Sequence, residues 1–194
     1  MNGFDTSVLH AINSHAGHTF LLDPIMKFFA QYSPELYAVM LLIGWFTLPR
    51  TEENRRHALV VSVAGGVIAL LVNFAIGSIW FRPRPFVADP SQFHNIIPHA
   101  ADTSFPSDHA SGAFGFTVGA WGQSAKWYYR LSLVIAILVM IARVYTGVHW
   151  PTDVLAGMVV GLASGWIARR LSSPLRIVTN IGLRLFRMGH YQSR

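Results

Sequence analysis

The sequence predicts an all-α fold: a membrane-embedded helical bundle of about five transmembrane helices, with interfacial helices at the N- and C-terminal ends. Three observations carry that prediction. The 194 residues are 52% hydrophobic and 12% charged, whereas a soluble domain carries about 25% charged residues. The mean hydropathy is +0.39, with the apolar residues gathered into long runs separated by short polar breaks. The basic residues fall in those breaks rather than along one face.

Each element follows from the pattern. Phe4, Val8, Leu9 and Ile12 have helical spacing, and residues 20–32 form a second apolar segment interrupted by Asp23 and Lys27. Both are short and polar for a span, so residues 1–32 are expected to form interfacial helices; the alternative for 20–32 is the start of a further span. No cleavable signal peptide is expected, because no basic residue precedes the first apolar positions and no cleavage-site pattern follows them. Five spans come next, at 34–49, 58–81, 107–125, 127–148 and 152–168. The second is an uncharged run long enough to cross a hydrocarbon core of about 30 Å. The short breaks between spans imply antiparallel neighbours. Beyond Pro174, residues 174–194 form a basic tail in which 175–188 alternate apolar residues with Arg176, Arg184 and Arg187, the pattern of a basic interfacial helix.

Loop charge predicts the orientation. The basic groups at 50–56, 126–130 and 169–176 lie at alternate ends of the spans, hence on one side, and the positive-inside rule makes that side cytoplasmic. The loop 82–106 and the turn at His149 then face outward. A net charge of +6 would suggest nucleic acid in a soluble domain. Distributed between apolar segments, it points to membrane lipids as partners and to no nucleic acid. The absence of cysteine excludes a disulfide framework, Cys-ligated zinc and thiol catalysis.

Packing and domain organisation are also legible. Gly157, Gly161 and Gly165 repeat at four-residue spacing in the last span, and Ser111, Gly115 and Gly119 do so in the third. Small residues at that spacing let helix backbones approach closely, so these two helices are expected at the tight centre of the bundle. No repeat or long linker divides the chain, and residues 1–194 are read as one domain.

Three clusters of chemistry-bearing residues gather on the expected outer side. The first is Phe81-Arg82-Pro83-Arg84-Pro85, where two prolines force an extended path and hold two guanidiniums close together. The second is Ser104-Phe-Pro106-Ser107-Asp108-His109, in which Ser107 suits an N-cap and the helix N-terminus suits an anion. The third is Arg143-Val-Tyr-Thr-Gly-Val-His149-Trp-Pro151-Thr-Asp153. Pro151 fits a first helical turn, which brings Asp153 within reach of one nitrogen of the His149 ring. Ionisable groups at a membrane boundary are costly unless paired or used.

The inventory favours one chemistry. No HExxH motif or acidic cluster provides a metal site, so no metal or cofactor is expected, and Pro-Ser-Asp-His is not a nucleophile elbow. Fixed cations suit a phosphoryl group with charge spread over its oxygens. One histidine can attack phosphorus while another protonates the departing oxygen.

The three clusters, in this order, resemble the signature of the type 2 phosphatidic acid phosphatase superfamily: Lys-x6-Arg-Pro, Pro-Ser-Gly-His and Ser-Arg-x5-His-x3-Asp. They stand here as Arg84-Pro85, Pro106-Ser107-Asp108-His109 and Arg143-x5-His149-x3-Asp153. The lead-in from Ile97 through His99 and Asp102, with the small size, is similar to the bacitracin-resistance type of undecaprenyl pyrophosphate phosphatase. The resemblance implies that His149 is a nucleophile forming a phosphohistidine, that Asp153 orients it, and that His109 is the general acid. It implies that Arg84, Arg143 and the Ser107 region hold phosphate oxygens of a lipid pyrophosphate, in a bacterial inner membrane with the site facing outward. A glycerolipid phosphatase, and outside enzymes an anion or lipid transporter, are the alternatives. Three positions depart from the signature: Gly77 replaces the lysine, Asp108 the glycine and Ala142 the serine. Arg82 is expected to replace the lost lysine at the phosphate. Asp108 is expected to turn away from it and cap the helix or pair with an arginine.

Overall fold

The computed structural model describes residues 2–191. Among them are α1 (Gly3–Asn13), α2 (Leu22–Thr47), α3 (Glu53–Ile79), α4 (Pro85–Ala88), α5 (Asp108–Ala120), α6 (Lys126–Tyr145), α7 (Pro151–Arg170), α8 (Ser172–Leu185) and a 3₁₀ turn at Gly189–Tyr191, with no strand. The all-α prediction holds. Helices α3, α6 and α7 are long and apolar enough to cross a membrane by length and composition.

Two boundaries differ from the sequence reading. The segment 20–32 is not a separate interfacial helix: it runs into the expected first span as the 26-residue α2. Pro34 lacks an N–H and crowds the carbonyl four residues earlier, which usually ends or kinks a helix. Here it kinks, with Tyr32 at φ −104°, ψ 16°. The third expected span is also shorter, because α5 has 13 residues, about 20 Å at 1.5 Å per residue. It is an inner helix enclosed by neighbours, nine of its residues being buried.

Backbone proximity explains that enclosure. A methyl group added at Gly161 would lie 2.7 Å from Phe114 Cβ, and one at Gly165 2.6 Å from Val118 Cβ. The glycine stripe of α7 therefore lies directly against α5, and both helices sit at the tight centre that their spacing predicts. Helix α3 closes the other side. A Cβ on Gly119 would meet the Ser62 Cα at 2.8 Å, and one on Gly66 would meet the Phe116 ring at 2.5 Å. Small residues thus weld α3, α5 and α7 into a core from which the site residues project.

Helix α1 packs onto the site end of this core. Its buried face is Asp5, Leu9 and Asn13, at i, i+4 and i+8, while Phe4 remains exposed. Asn13 Nδ2 donates to the carbonyl oxygens of His94 and Tyr145 at 2.8 Å, and its Oδ1 accepts from the His94 N–H at 2.8 Å. At the far end, Arg56 is fully buried and donates to the carbonyls of Trp45, Leu48 and Pro49, satisfying the C-terminus of α2. Helix α8 begins at Ser172 with Pro174 in its first turn, earlier than expected. It leaves Ile177, Val178, Ile181 and Leu185 exposed beside its arginines.

Candidate active site

The three clusters converge at one end of the bundle around a cavity of about 340 Å³ lined by Arg84, His99, Asp108, His109, Arg143 and His149, with Leu70, Phe74 and Gly77 among its apolar wall. Local structure explains the convergence. Helix α3 ends at Ile79, and the proline-rich segment after it runs extended beside 103–104: the Ser104 N–H donates to the Arg82 carbonyl at 2.8 Å, and the Arg82 N–H donates to Thr103 Oγ1 at 3.2 Å. That pairing carries Ser104 and Arg84 to the turn between α6 and α7, where His149 sits.

His149 is 2% exposed, and its two nitrogens face different surroundings. Nδ1 lies 2.8 Å from the Ser104 backbone carbonyl oxygen. A carbonyl only accepts, so Nδ1 carries the proton and Nε2 holds the lone pair. Nε2 accepts from Arg84 Nη1 at 3.2 Å and from Arg143 Nη2 at 3.1 Å. The nitrogen able to attack thus stands between two guanidiniums at the cavity. Burial, followed by the charges of Arg143 and Arg84, holds the imidazole well below the ordinary histidine range, so it is neutral at physiological pH.

The expected direct bond from Asp153 to His149 is corrected. Asp153 Oδ2 is 3.7 Å from Nδ1, beyond hydrogen-bonding distance. Ser104 intervenes: its hydroxyl donates to Asp153 Oδ2 and lies 3.4 Å from Nδ1. Asp153 Oδ2 also accepts the Trp150 N–H at 2.9 Å, as an acidic residue in a first helical turn can. Fully buried, the carboxylate acts on His149 through Ser104 and through space.

The two arginines of the cavity are held by backbone oxygens. Arg84 Nη1 donates to the Val148 carbonyl at 2.9 Å, Nη2 to the Thr103 carbonyl at 3.1 Å, and Nε to Asp102 at 2.7 Å. Arg143 Nη1 donates to the Ala30 carbonyl at 2.8 Å, and its Nε is buried without a partner. Pro34 supplies the reason that Ala30 is available: four residues on, it has no N–H to give that carbonyl. The kink in α2 is thereby tied to the site.

Three further expectations are revised. Arg82 does not stand in for the missing lysine; it is absent from the residues lining the cavity and lies behind His149, pairing Asp153 and Asp5 at 2.5 Å each. Ser107 occupies the N-cap position of α5, yet its side chain makes no cap bond and its buried hydroxyl is unpartnered. Asp108 lines the cavity rather than turning away, and Asn73 Nδ2 holds its carboxylate at 2.8 Å. His109 lines the same cavity from the first turn of α5.

Five residues were not assigned roles from sequence. His99 Nε2 accepts from Arg143 Nη2 at 2.8 Å, and burial, then the Arg84 charge, lower its pKa. Asp102 pairs Arg84, Ser104 links Asp153 to His149, Asn73 fixes Asp108, and Asp5 reaches the site from α1. His99, Asp102 and Ser104 lie just before the Pro-Ser-Asp-His segment, which was the available signal. Nothing in the local pattern marked Asn73 or Asp5.

The family model of the PAP2 superfamily matches residues 57–176. The chain belongs to the PAP2 superfamily. The chain is 35% identical over 179 residues to undecaprenyl-diphosphatase BcrC of Bacillus subtilis (strain 168), spanning 92% of this chain and 90% of the relative. It is 34% identical to the bacitracin transport permease protein BcrC of Bacillus licheniformis, over 78% of this chain and 74% of that one. Among solved structures, Aquifex aeolicus LpxE superposes with a TM-score of 0.72 at 20% identity, covering 87% of this chain and 96% of its own, a likeness of fold. The PAP2-type phosphatidylglycerolphosphate phosphatase of Bacillus subtilis superposes with a TM-score of 0.64 at 27% identity, over 87% and 86%.

Proposed function

We propose that this PAP2 phosphatase removes the terminal phosphate of a membrane-borne lipid diphosphate, undecaprenyl diphosphate, through a phosphohistidine on His149 and without a metal. The observation that carries the proposal is the environment of His149 Nε2, whose lone pair stands between Arg84 and Arg143 at the cavity. When phosphate enters, those guanidiniums exchange Nε2 for phosphate oxygens and stabilise the charge that develops during transfer. The unpartnered Ser107 hydroxyl and Arg143 Nε are spare donors for the same oxygens.

The steps balance with the residues present. Nε2 bonds to the terminal phosphorus as the bond from phosphorus to the bridging oxygen breaks. His109, whose protonated form the substrate's negative charge favours, gives its proton to that oxygen, and the lipid monophosphate leaves. Water then attacks the phosphohistidine, His109 takes its proton, the P–N bond breaks and inorganic phosphate departs. Asp153, through Ser104, favours the positive imidazole formed during attack.

Apolar surroundings and relatedness favour a lipid substrate. Leu70, Asp108 and His109 are shared between the cavity and an adjoining pocket of about 120 Å³ lined by Tyr37, Leu70, Ala113 and Phe116. An apolar chain can stay among the helices while its headgroup reaches the arginines. The nearly full-length similarity to a Bacillus subtilis undecaprenyl-diphosphatase favours the polyprenyl diphosphate over a glycerolipid. The basic groups at 50–56, 126–130 and 169–176 lie at the opposite end of the spans, which supports a site on the outer face of a bacterial cytoplasmic membrane. A side-by-side assay of undecaprenyl diphosphate, phosphatidylglycerophosphate and phosphatidate with chelator present tests this. Preference for a glycerolipid overturns the substrate, loss of activity with chelator overturns the metal-free step, and binding without turnover would favour a transporter.

A further inference from the structure

Behind His149 lies a second polar cluster that reaches outside the residues matched to the family. Asp5, on α1, is fully buried. Its Oδ1 accepts the Thr152 N–H at 2.9 Å; its Oδ2 accepts the Thr152 hydroxyl at 2.7 Å and Arg82 Nη2 at 2.5 Å. The other end of the Arg82 fork, Nη1, donates to Asp153 Oδ1 at 2.5 Å and to Thr152 Oγ1 at 2.7 Å. Its guanidinium carbon lies 5.4 Å from the Trp150 ring centre. Two buried carboxylates therefore share one guanidinium, and one of them is the carboxylate beside His149.

Docking of α1 does not account for this arrangement. Leu9 is fully buried, and Asn13 already ties the helix to the His94 and Tyr145 backbones. Burial acts to raise the Asp5 pKa, but the hydrogen bonds from Arg82 and Thr152 outweigh it and leave the group below the usual carboxylate range, hence ionised. A buried charge retained beyond what packing needs calls for a use.

We infer that Asp5 is a positioning residue for the His149 reaction: it shares Arg82 with Asp153 and clamps the Thr152 backbone, fixing where the Asp153 carboxylate stands. The inference rests on the reading of His149 as the attacking group. Asp5, Arg82 and Asp153 together carry one net negative charge, which favours the positive imidazole formed as Nε2 attacks. With Asp5 neutral, Arg82 answers Asp153 alone and that charge is cancelled. Arg84 and Arg143 are untouched, so the phosphate grip persists while turnover slows.

The test is kcat and KM for lipid diphosphate hydrolysis by the full-length protein, with melting curves, for Asp5→Asn, Asp5→Glu, Thr152→Val, Arg82→Gln, the Asp5→Asn/Arg82→Gln pair and His149→Ala. Asp5→Asn is expected to lower kcat about ten-fold, in the range for groups that orient a reacting residue, with KM within about two-fold. Asp5→Glu should recover part of the rate, and the double variant should be no slower than Arg82→Gln alone. Wild-type kcat for Asp5→Asn, whatever its melting temperature, overturns the inference; so does a loss lying in KM, or penalties that multiply in the double variant. If Asp5→Asn does not fold, Arg82→Gln, which removes the shared guanidinium, decides in its place, and wild-type kcat there is again fatal. A His149→Ala protein that turns over normally would sink the site reading, whereas an inactive His149→Ala beside a fully active Asp5→Asn sinks this inference alone.

Discussion

The Nδ1 atom of His149 lies 2.8 Å from the backbone carbonyl oxygen of Ser104, while the Asp153 carboxylate stands 3.7 Å away. The tautomer of the His149 imidazole is thus fixed by main chain, and Asp153 contributes charge. In a Ser-His-Asp triad, where the carboxylate also sets the tautomer, its replacement by the amide costs about 10⁴ in kcat. Asp153→Asn here should cost less, about 10²-fold, and Ser104→Ala about ten-fold, both with KM nearly unchanged. Steady-state kinetics of the two variants check this; a loss confined to KM would place them at substrate binding instead.

Pro34 and Arg143 are linked through the Ala30 carbonyl, which the proline leaves without a helical donor and which Arg143 Nη1 takes at 2.8 Å. Pro34→Ala should straighten α2 and return that carbonyl to the helix. Proline inside a helix costs about 3 kcal/mol, so the variant should melt no lower than wild type. With Arg143 displaced, kcat/KM should fall about ten-fold. Unchanged kinetics would show that the kink does not serve Arg143.

Burial and the two guanidiniums set a pH response. The folded pKa of His149 is lowered relative to about 6.5 in the unfolded chain. Above pH 6.5 both states are neutral at this residue and its contribution to stability is fully retained. As pH falls below 6.5 the unfolded chain binds a proton that the folded site refuses, and stability drops by at most about 1.4 kcal/mol per pH unit until the folded pKa is reached. Melting in detergent at pH 5 and pH 7 should show the loss, and His149→Gln should reduce it. The acid limb of kcat/KM should lie below pH 6.5.

How much of this was legible depended on the kind of signal. Apolar runs gave the helical bundle, and the four-residue spacing of small residues put α5 and α7 at its tight centre, because both are local patterns with a direct physical meaning. The spacing of Arg143, His149 and Asp153 brought those residues into one turn. What failed was partner choice. Arg82 and Arg84 are two residues apart and alike in type, yet the extended backbone between them sends one to the cavity and the other to Asp5. Sequence spacing suggested that Asp153 would bond His149; a strand-like pairing of 82 with 104 put Ser104 between them. Asp5 is separated from Asp153 by most of the chain, and only the docking of α1 brings the two to one arginine.

The glycine stripe makes a stability prediction with an internal control. A Cβ at Gly161 would lie 2.7 Å from Phe114 Cβ, whereas one at Gly112 would meet Leu70 Cδ2 at 3.9 Å. Gly161→Ala should destabilise by about 1–3 kcal/mol through overpacking, and Gly112→Ala should be neutral or stabilising by up to about 1 kcal/mol through helix propensity. Thermal melts of both in the same detergent check it; equal shifts would mean that α5 and α7 are not in close contact.

The central claim is that His149 Nε2 forms a bond to phosphorus. The direct measurement is rapid acid-free quenching of the wild-type protein with lipid diphosphate labelled in its terminal phosphate, followed by peptide mapping. The account predicts acid-labile, base-stable label on the peptide carrying His149, formed as fast as turnover and missing from His149→Ala. Full hydrolytic activity in His149→Ala, or label on another residue, would contradict it.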